Sequence, residues 1–420
     1  GFSAWDDTDG NLTSQVKVSE SIDSSVAGSH FLTYSLVDQA GNRATPVRRV
    51  VYYSGPASTP VAEWAAGPQS EAMSKDVAVA ADDSVYVLGT FSNVLRFPGV
   101  TQVSKGSSDV FLSYRDSTGK LQWVRSFGGL DIDSAGNVAV GSDGSAYISG
   151  YFRGVASFGD NILISAGDYD AYLVKVDASG TVQWARSIGG TGDDRGQGLA
   201  VSTGDSILWS GYFSSTIESE TFLLENQGGA DAFLAKLNSD GAFAWVRSTG
   251  GSGDDFGELS ALDNHGNCFL AGNVENDSVS GPFLVSYNEQ GDLVWKNTIG
   301  GGSSNTATSL VADGEGVYLA GNFQGSSTFG DVNLSSSGAS DVFLASYSHD
   351  GSLSWVKSYG GQDSDQAKNL SIDPFGNLCL MGEFQGSSQF GNLTLESAGD
   401  YDLFVMKVSK DQGTPIWSRR

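Results

Sequence analysis

The apolar positions of this chain fall into short runs of five to eight residues, rich in Val, Ile, Leu, Phe and Tyr and bounded by Gly, Asp, Asn or Ser. No segment sustains a helical period over eleven positions, so the pattern predicts strands and no long helix. The runs recur as a set. Trp64, Trp123, Trp184, Trp245, Trp295, Trp355 and Trp417 stand 59, 61, 61, 50, 60 and 62 residues apart. One interval shows the order: Gly189-Gly190, Asp193-Asp194, Leu199-Ala200-Val201, a turn at Thr203-Gly204, Ile207 to Gly211, Asp231 to Leu237, a turn closing at Gly241, and Phe243-Ala244-Trp245. Four strands per unit, a to d, and six units predict an all-β fold, a β-propeller of four-stranded blades. Sheets this small bury their faces only by stacking on neighbours.

Six full a-b-c-d sets run from about Lys75 to Arg420, and Val61 to Ala65 reads as one more strand d. Either six blades carry a spare strand, or a seventh blade has its remaining strands beyond Arg420; six is favoured over seven. Residues 1–54 read differently, with strands around Val16 and Val18, from Phe31 to Val37 and from Val47 to Tyr53. Gly55 to Pro60 is a stiff linker, and 61–420 is the propeller.

Two resemblances follow from these residues. Trp-x-[Arg/Lys]-Ser-x-Gly-Gly, then Gly-Asp-Asp and a strand pair ending Tyr-x-x-Gly, resembles the bacterial SBBP-type β-propeller repeat across 61–420. Asp6-Asp7-Thr8-Asp9-Gly10-Asn11-Leu12-Thr13 with Asp38-Gln39-Ala40-Gly41-Asn42 is similar to the second half of bacterial Ig-like domains. The resemblances imply a bacterial extracellular or cell-surface setting. A sandwich of this kind needs about seven strands. The partial Ig-like sandwich is therefore expected to be completed from outside residues 1–420, by an upstream segment or a neighbouring subunit.

The 49 acidic and 23 basic side chains leave a formal charge of -26, which repels phosphate backbones and excludes nucleic acid as a main partner. No apolar run approaches the roughly 18 residues of a membrane span.

The charged positions form two patterns. Asp109 and Arg125, Asp170 and Arg186, Asp231 and Arg247, and Asp341 and Lys357 lie equidistant from the c–d turn, Asp402 and Arg419 repeat the motif, and Gly281 and Asn297 replace both members in blade four. This predicts structural cross-strand ion pairs. Four residues past each Gly-Gly or its equivalent stand Glu71, Asp133, Asp194, Asp255, Asn305 and Asp365, an acidic ring expected near one channel mouth. Its sharper reading is a calcium site; its plainer one is turn capping by each carboxylate. Asp7-x-Asp9-Gly10 is a second, weaker calcium hint.

From the strand b glycine to strand c is 20 residues in five blades, with Phe-Gly-[Asp/Asn] hairpin signals inside, but nine in blade four, Gly272 to Gly281. That predicts β-arms on the face of the acidic loops and a notch at blade four, expected to receive a partner or the Ig-like half-domain. Cys268 and Cys379 read as buried singletons, and His30, His265 and His349 form no visible catalytic or metal cluster.

The expectation is therefore a non-enzymatic surface protein without a cofactor, its propeller a rigid assembly or adhesion body. Its partners would be other protein subunits, with self-association by strand exchange and a polymer among the outcomes. The alternative is a carbohydrate- or peptide-binding module using Phe91, Phe152, Phe213 and Phe323 on the loop-rich face.

Overall fold

A computed structural model describes residues 5–6, 10–12, 14, 16–19, 28–37, 43 and 47–53 ahead of the repeats, and 72–275, 280–301 and 304–420 across them. The chain divides into two units, Gly1–Ala65 and Ala66–Arg420. In the first, Lys17–Ser19, Gly28–Ser35 and Val47–Tyr53 form an antiparallel sheet in chain order, with Val18 opposite Tyr34 and Phe31 opposite Val50. The predicted strand at 31–37 thus starts three residues earlier. Tyr34 and Leu36 are half-buried. Asp7, Asp9, Glu71, the linker and Val61 to Ala65 lie outside the described residues.

The second unit is all β. Blade one is Ala72–Val79, Val85–Phe91, Asp109–Arg115 and Leu121–Gly129. Blade two is Asp133–Val140, Ala146–Phe158, Asn161–Val176 and Val182–Ile188. Blade three is Arg195–Val201, Ile207–Phe213, Asp231–Leu237 and Phe243–Thr249. Blade four is Asp254–Leu262, Cys268–Glu275, Ser280–Tyr287 and Leu293–Thr298. Blade five is Thr306–Ala312, Val317–Phe323, Asp341–Tyr347 and Leu353–Gly361. Blade six is Gln366–Ile372, Leu378–Phe390, Leu393–Val408 and Pro415–Arg419. Each pairs antiparallel in the order a-b-c-d. Successive strands a pack against each other from blade one to blade six, which makes a the inner strand.

The core lies between blades. Ile148, Phe152 and Val174 of blade two close on Tyr86, Leu88 and Leu112 of blade one, and like clusters fill the next four junctions. Two-sided burial explains why strand c reads as a continuous apolar run: all seven residues of Asp231–Leu237 are buried.

The β-arms form as expected. Val94–Phe97 pairs with Val100–Val103, and Ser326–Phe329 with Val332–Ser335. In blades two and six the arm continues strands b and c directly. In blades one, two, five and six the arm folds an aromatic onto strand c, as Phe329 on Phe343 and Phe390 on Phe404.

The Gly-Gly pairs join blades. Gly129 pairs with Ala156 in the arm of blade two, and a Cβ there would lie 1.9 Å from the Val155 carbonyl oxygen. Gly128, at φ +147°, has the Asp133 and Asp109 carboxylates where its own Cβ would be.

Among the described residues, no apolar cluster joins blade six to blade one. Met381, Leu403 and Val405 of blade six are 42%, 61% and 41% exposed, whereas their repeat equivalents in blade five, Ala320, Val342 and Leu344, are fully buried. Met73, Val77 and Val79 of blade one are exposed likewise.

Candidate functional site

The structure corrects the predicted ion pairs. In blade one Arg125 stands opposite Leu112, not Asp109; Arg186 faces Leu173, Arg247 faces Leu234, Lys357 faces Leu344 and Arg419 faces Val405. Counting equidistantly from the turn failed for a local reason. The turn closed by Asp116 N donating to Lys120 O, with Gly119 at φ +79°, is centred on Thr118 rather than Ser117, which alone moves the residue opposite Asp109 from Arg125 to Phe127. Strand d then carries one extra residue, Gln122, beside Tyr114 and Arg115. The bulge shifts every later pair.

The two partners do separate work. Each strand c aspartate caps the returning arm: Asp109 accepts Lys105 N, Asp170 accepts Ala166 N, Asp231 accepts Gln227 N, Asp341 accepts Ser337 N and Asp402 accepts Ala398 N. The arginines reach the next blade. Arg186 Nε donates to Gly241 O at 2.8 Å while Trp184 Nε1 donates to Ser239 O at 3.0 Å, and the guanidinium lies 5.5 Å from the Trp184 ring centre. Arg125 with Trp123 and Arg247 with Trp245 repeat this staple. In blade four Asn297 Nδ2 substitutes for the guanidinium and donates to Gly351 O. Trp-x-Arg is thus a junction motif rather than a hairpin motif.

The acidic ring is also relocated. Asp133, Asp194, Asp255 and Asp365 are buried at separate junctions, and among the described residues they do not converge on a shared ion. Asp133, Asp194 and Asp365 each accept the backbone N–H of the second glycine of the preceding pair, at 2.6, 2.6 and 2.7 Å. Burial pushes Asp133 up to about 7, offset by the Gly129 N–H and raised further by Asp109. Asp194 and Asp365 rise to about 6 for the same main reason, as does Asp170. Where Gly281 stands in place of the strand c aspartate, the facing residue is Asn305, so this repeat loses the acid–acid neighbourhood altogether.

The aromatics offered as ligand platforms fill the blade interiors instead: Phe91, Phe152, Phe213 and Phe323 are all buried. A different set, not singled out in the sequence, breaks the repeat symmetry on the arm face of blades two to four. Tyr151 and Tyr169 project from strands b and c of blade two, and Arg195 from strand a of blade three. The Arg195 guanidinium lies 4.5 Å from the Tyr151 ring centre and 5.1 Å from that of Tyr169, held by two 2.8 Å bonds to Asp193. Tyr212 pairs with Arg195 across strands a and b and meets Phe256 edge-on at 4.9 Å. Beside them Asn273 Nδ2 donates to Glu258 Oε2 at 2.8 Å, and burial pushes Glu258 above the usual carboxylate range. Burial also raises Tyr212 to about 12, so its hydroxyl stays protonated. A cavity of about 450 Å³ opens here, lined by Gln197, Tyr212, Phe256, Glu258, Asn273 and Glu275. Thr90, Asn322 and Glu383 occupy the Tyr151 and Tyr212 position in other blades. That asymmetry was the signal available in the sequence.

Cys268 is buried, and burial raises its thiol to about 12; Cys379 is only half-buried, on the uncovered side of blade six.

Residues 1–52 match the family described as bacterial surface protein, Ig-like domain. The chain is 26% identical over 385 residues to the regulatory protein FlaEY of Caulobacter vibrioides, covering 81% of this chain and 39% of the relative. It therefore spans about two fifths of that relative's length. Among solved structures it is similar to the quinohemoprotein alcohol dehydrogenase of Comamonas testosteroni, at 11% identity and TM-score 0.41, over 79% of this chain and 60% of that one. A gluconolactonase of Xanthomonas campestris is similar at 11% identity and TM-score 0.38, over 91% and 95%. These likenesses assign no activity to this chain. They do correct the expectation that it is not an enzyme, because enzymes are among the structures it resembles. The N-terminal module is of the bacterial surface-protein type and the repeats build a β-propeller.

Proposed function

We propose that this chain is an extracellular, cell-surface interaction protein in which an Ig-like module carries a propeller that serves as a rigid adhesion or assembly body. The surface-type Ig-like match and the SBBP-like repeat pattern support the setting. One observation carries the assembly role: blade six presents Met381, Leu403 and Val405 uncovered, and Trp417 Nε1 and Arg419 Nε have no acceptor among the described residues. The tryptophan position donates to the neighbouring blade at five junctions and the position of Arg419 does so at four. Another protein subunit offering a blade edge would complete the sixth face by ordinary strand-sheet packing. Sedimentation velocity over a wide concentration range tests this. Reversible self-association that Leu403→Asp abolishes is expected; a monomer at every concentration overturns the self-assembly reading.

A second reading rests on the Tyr151–Arg195–Tyr212–Phe256 surface. Partly exposed rings beside Glu258, Asn273 and Gln197 offer both stacking faces and hydrogen-bond partners for a polyhydroxylated ligand such as a saccharide. Glycan binding lost in Tyr212→Ala, with unchanged sedimentation, would favour it.

A further inference from the structure

Two of the three histidines, which the sequence leaves in unrelated turns, meet on the opposite face. His265 belongs to the a–b turn of blade four and His349 to the c–d turn of blade five. Between them lies the Asp263 carboxylate, whose side chain is fully buried. His349 Nε2 is 3.0 Å from Asp263 Oδ2, His265 Nδ1 is 3.9 Å from the same oxygen, and the three groups' ligand atoms lie within 4.8 Å of one another. The rings stand edge to face at 5.5 Å. The carboxylate is fixed from behind: Oδ1 accepts His265 N and Asn267 N, and Oδ2 accepts Asn267 Nδ2 at 2.6 Å.

The next junction shows what this seat is for. Asp313 and Glu315 occupy the repeat positions of Asp263 and His265, and Lys410 that of His349. There the Lys410 ammonium sits 2.8 Å from Asp313 and 2.9 Å from Glu315. One junction holds a cation supplied by its own side chain. The other replaces both Glu315 and Lys410 with imidazoles and keeps the aspartate, so its donors surround a place without a built-in cation.

We propose that Asp263, His265 and His349 bind a divalent transition-metal ion of the zinc type, clipping blade four to blade five. Two imidazole nitrogens and one carboxylate oxygen suit zinc, nickel or cobalt rather than calcium. Tetrahedral bonds of about 2.0 Å need donor atoms about 3.3 Å apart, which brackets between the two observed separations. Asn267 supplies the outer hydrogen bond that orients the carboxylate. Asp263 and His265 line a cavity of about 520 Å³, which gives the ion an approach and leaves a coordination position open to water.

The test is calorimetric titration of untagged full-length protein with zinc ion alone, paired with thermal melts. One equivalent should bind and raise the melting temperature. His265→Ala, at a side chain 60% exposed and therefore harmless to folding, should weaken binding by about 100-fold. His349→Lys, which installs the neighbouring junction's own solution, should abolish the zinc response while preserving the zinc-free melting temperature. Zinc binding unaltered in both variants, or no zinc-dependent shift in the parent protein, overturns the proposal and leaves the cluster as a plain His–Asp hydrogen bond.

Discussion

Blades five and six have closely similar strand patterns and opposite surroundings. Val342 and Leu344 in blade five are sealed by blade six, whereas Leu403 and Val405 at the same repeat positions are open. Trp355 Nε1 finds the Lys410 carbonyl at 2.9 Å, while Trp417 finds no counterpart among the described residues. Burial in this architecture is thus a property of the junction, not of the strand. The same difference leaves Cys379 half-buried where Tyr318, at the same repeat position in blade five, is buried.

The sharpest way to break the comparison is a charge at the two equivalent positions. Val342→Asp buries an unpaired carboxylate and should cost more than about 4 kcal/mol, read as loss of cooperative unfolding in denaturant. Leu403→Asp should change monomer stability by less than about 0.5 kcal/mol, acting on association alone. Equal losses at both sites would show that blade six is covered in solution by its own chain.

A smaller difference should follow from the staple. Trp184→Ala removes a buried indole and its bond to Ser239 O, costing about 3–5 kcal/mol in denaturant unfolding. Trp417 is only half-buried, so Trp417→Ala should cost about 1 kcal/mol; equal costs would refute the junction account.

The smallest effect is electrostatic. Asp133, raised to about 7, and Asp170, Asp194 and Asp365, raised to about 6, hold protons more tightly folded than unfolded. Their stabilisation is whole below the unfolded value near 3.9, declines as pH rises and is gone above about pH 7. The melting temperature should therefore be higher at pH 5 than at pH 8, by on the order of 5 °C. Asp133→Asn, which copies Asn305, should narrow that gap; an unchanged pH profile would assign it to the overall charge of -26.

The sequence alone determined the strands and their count per blade, because each apolar run and each glycine-closed turn is specified within a few residues. It also placed the β-arms and the short b–c connection of blade four. It did not determine which residues meet. Arg125 was misread as a partner of Asp109 because neither the centre of the turn, Thr118 rather than Ser117, nor the bulged residue Gln122 is visible to counting. The acidic ring read as a common mouth because a linear repeat does not show that Asp133 and Asp194 are walled into different junctions. His265 and His349 are 84 residues apart in the chain and belong to different blades, so only their stacking could bring them to one carboxylate. Local chemistry fixes the blade; the angle at which blades stack decides everything that lies between them.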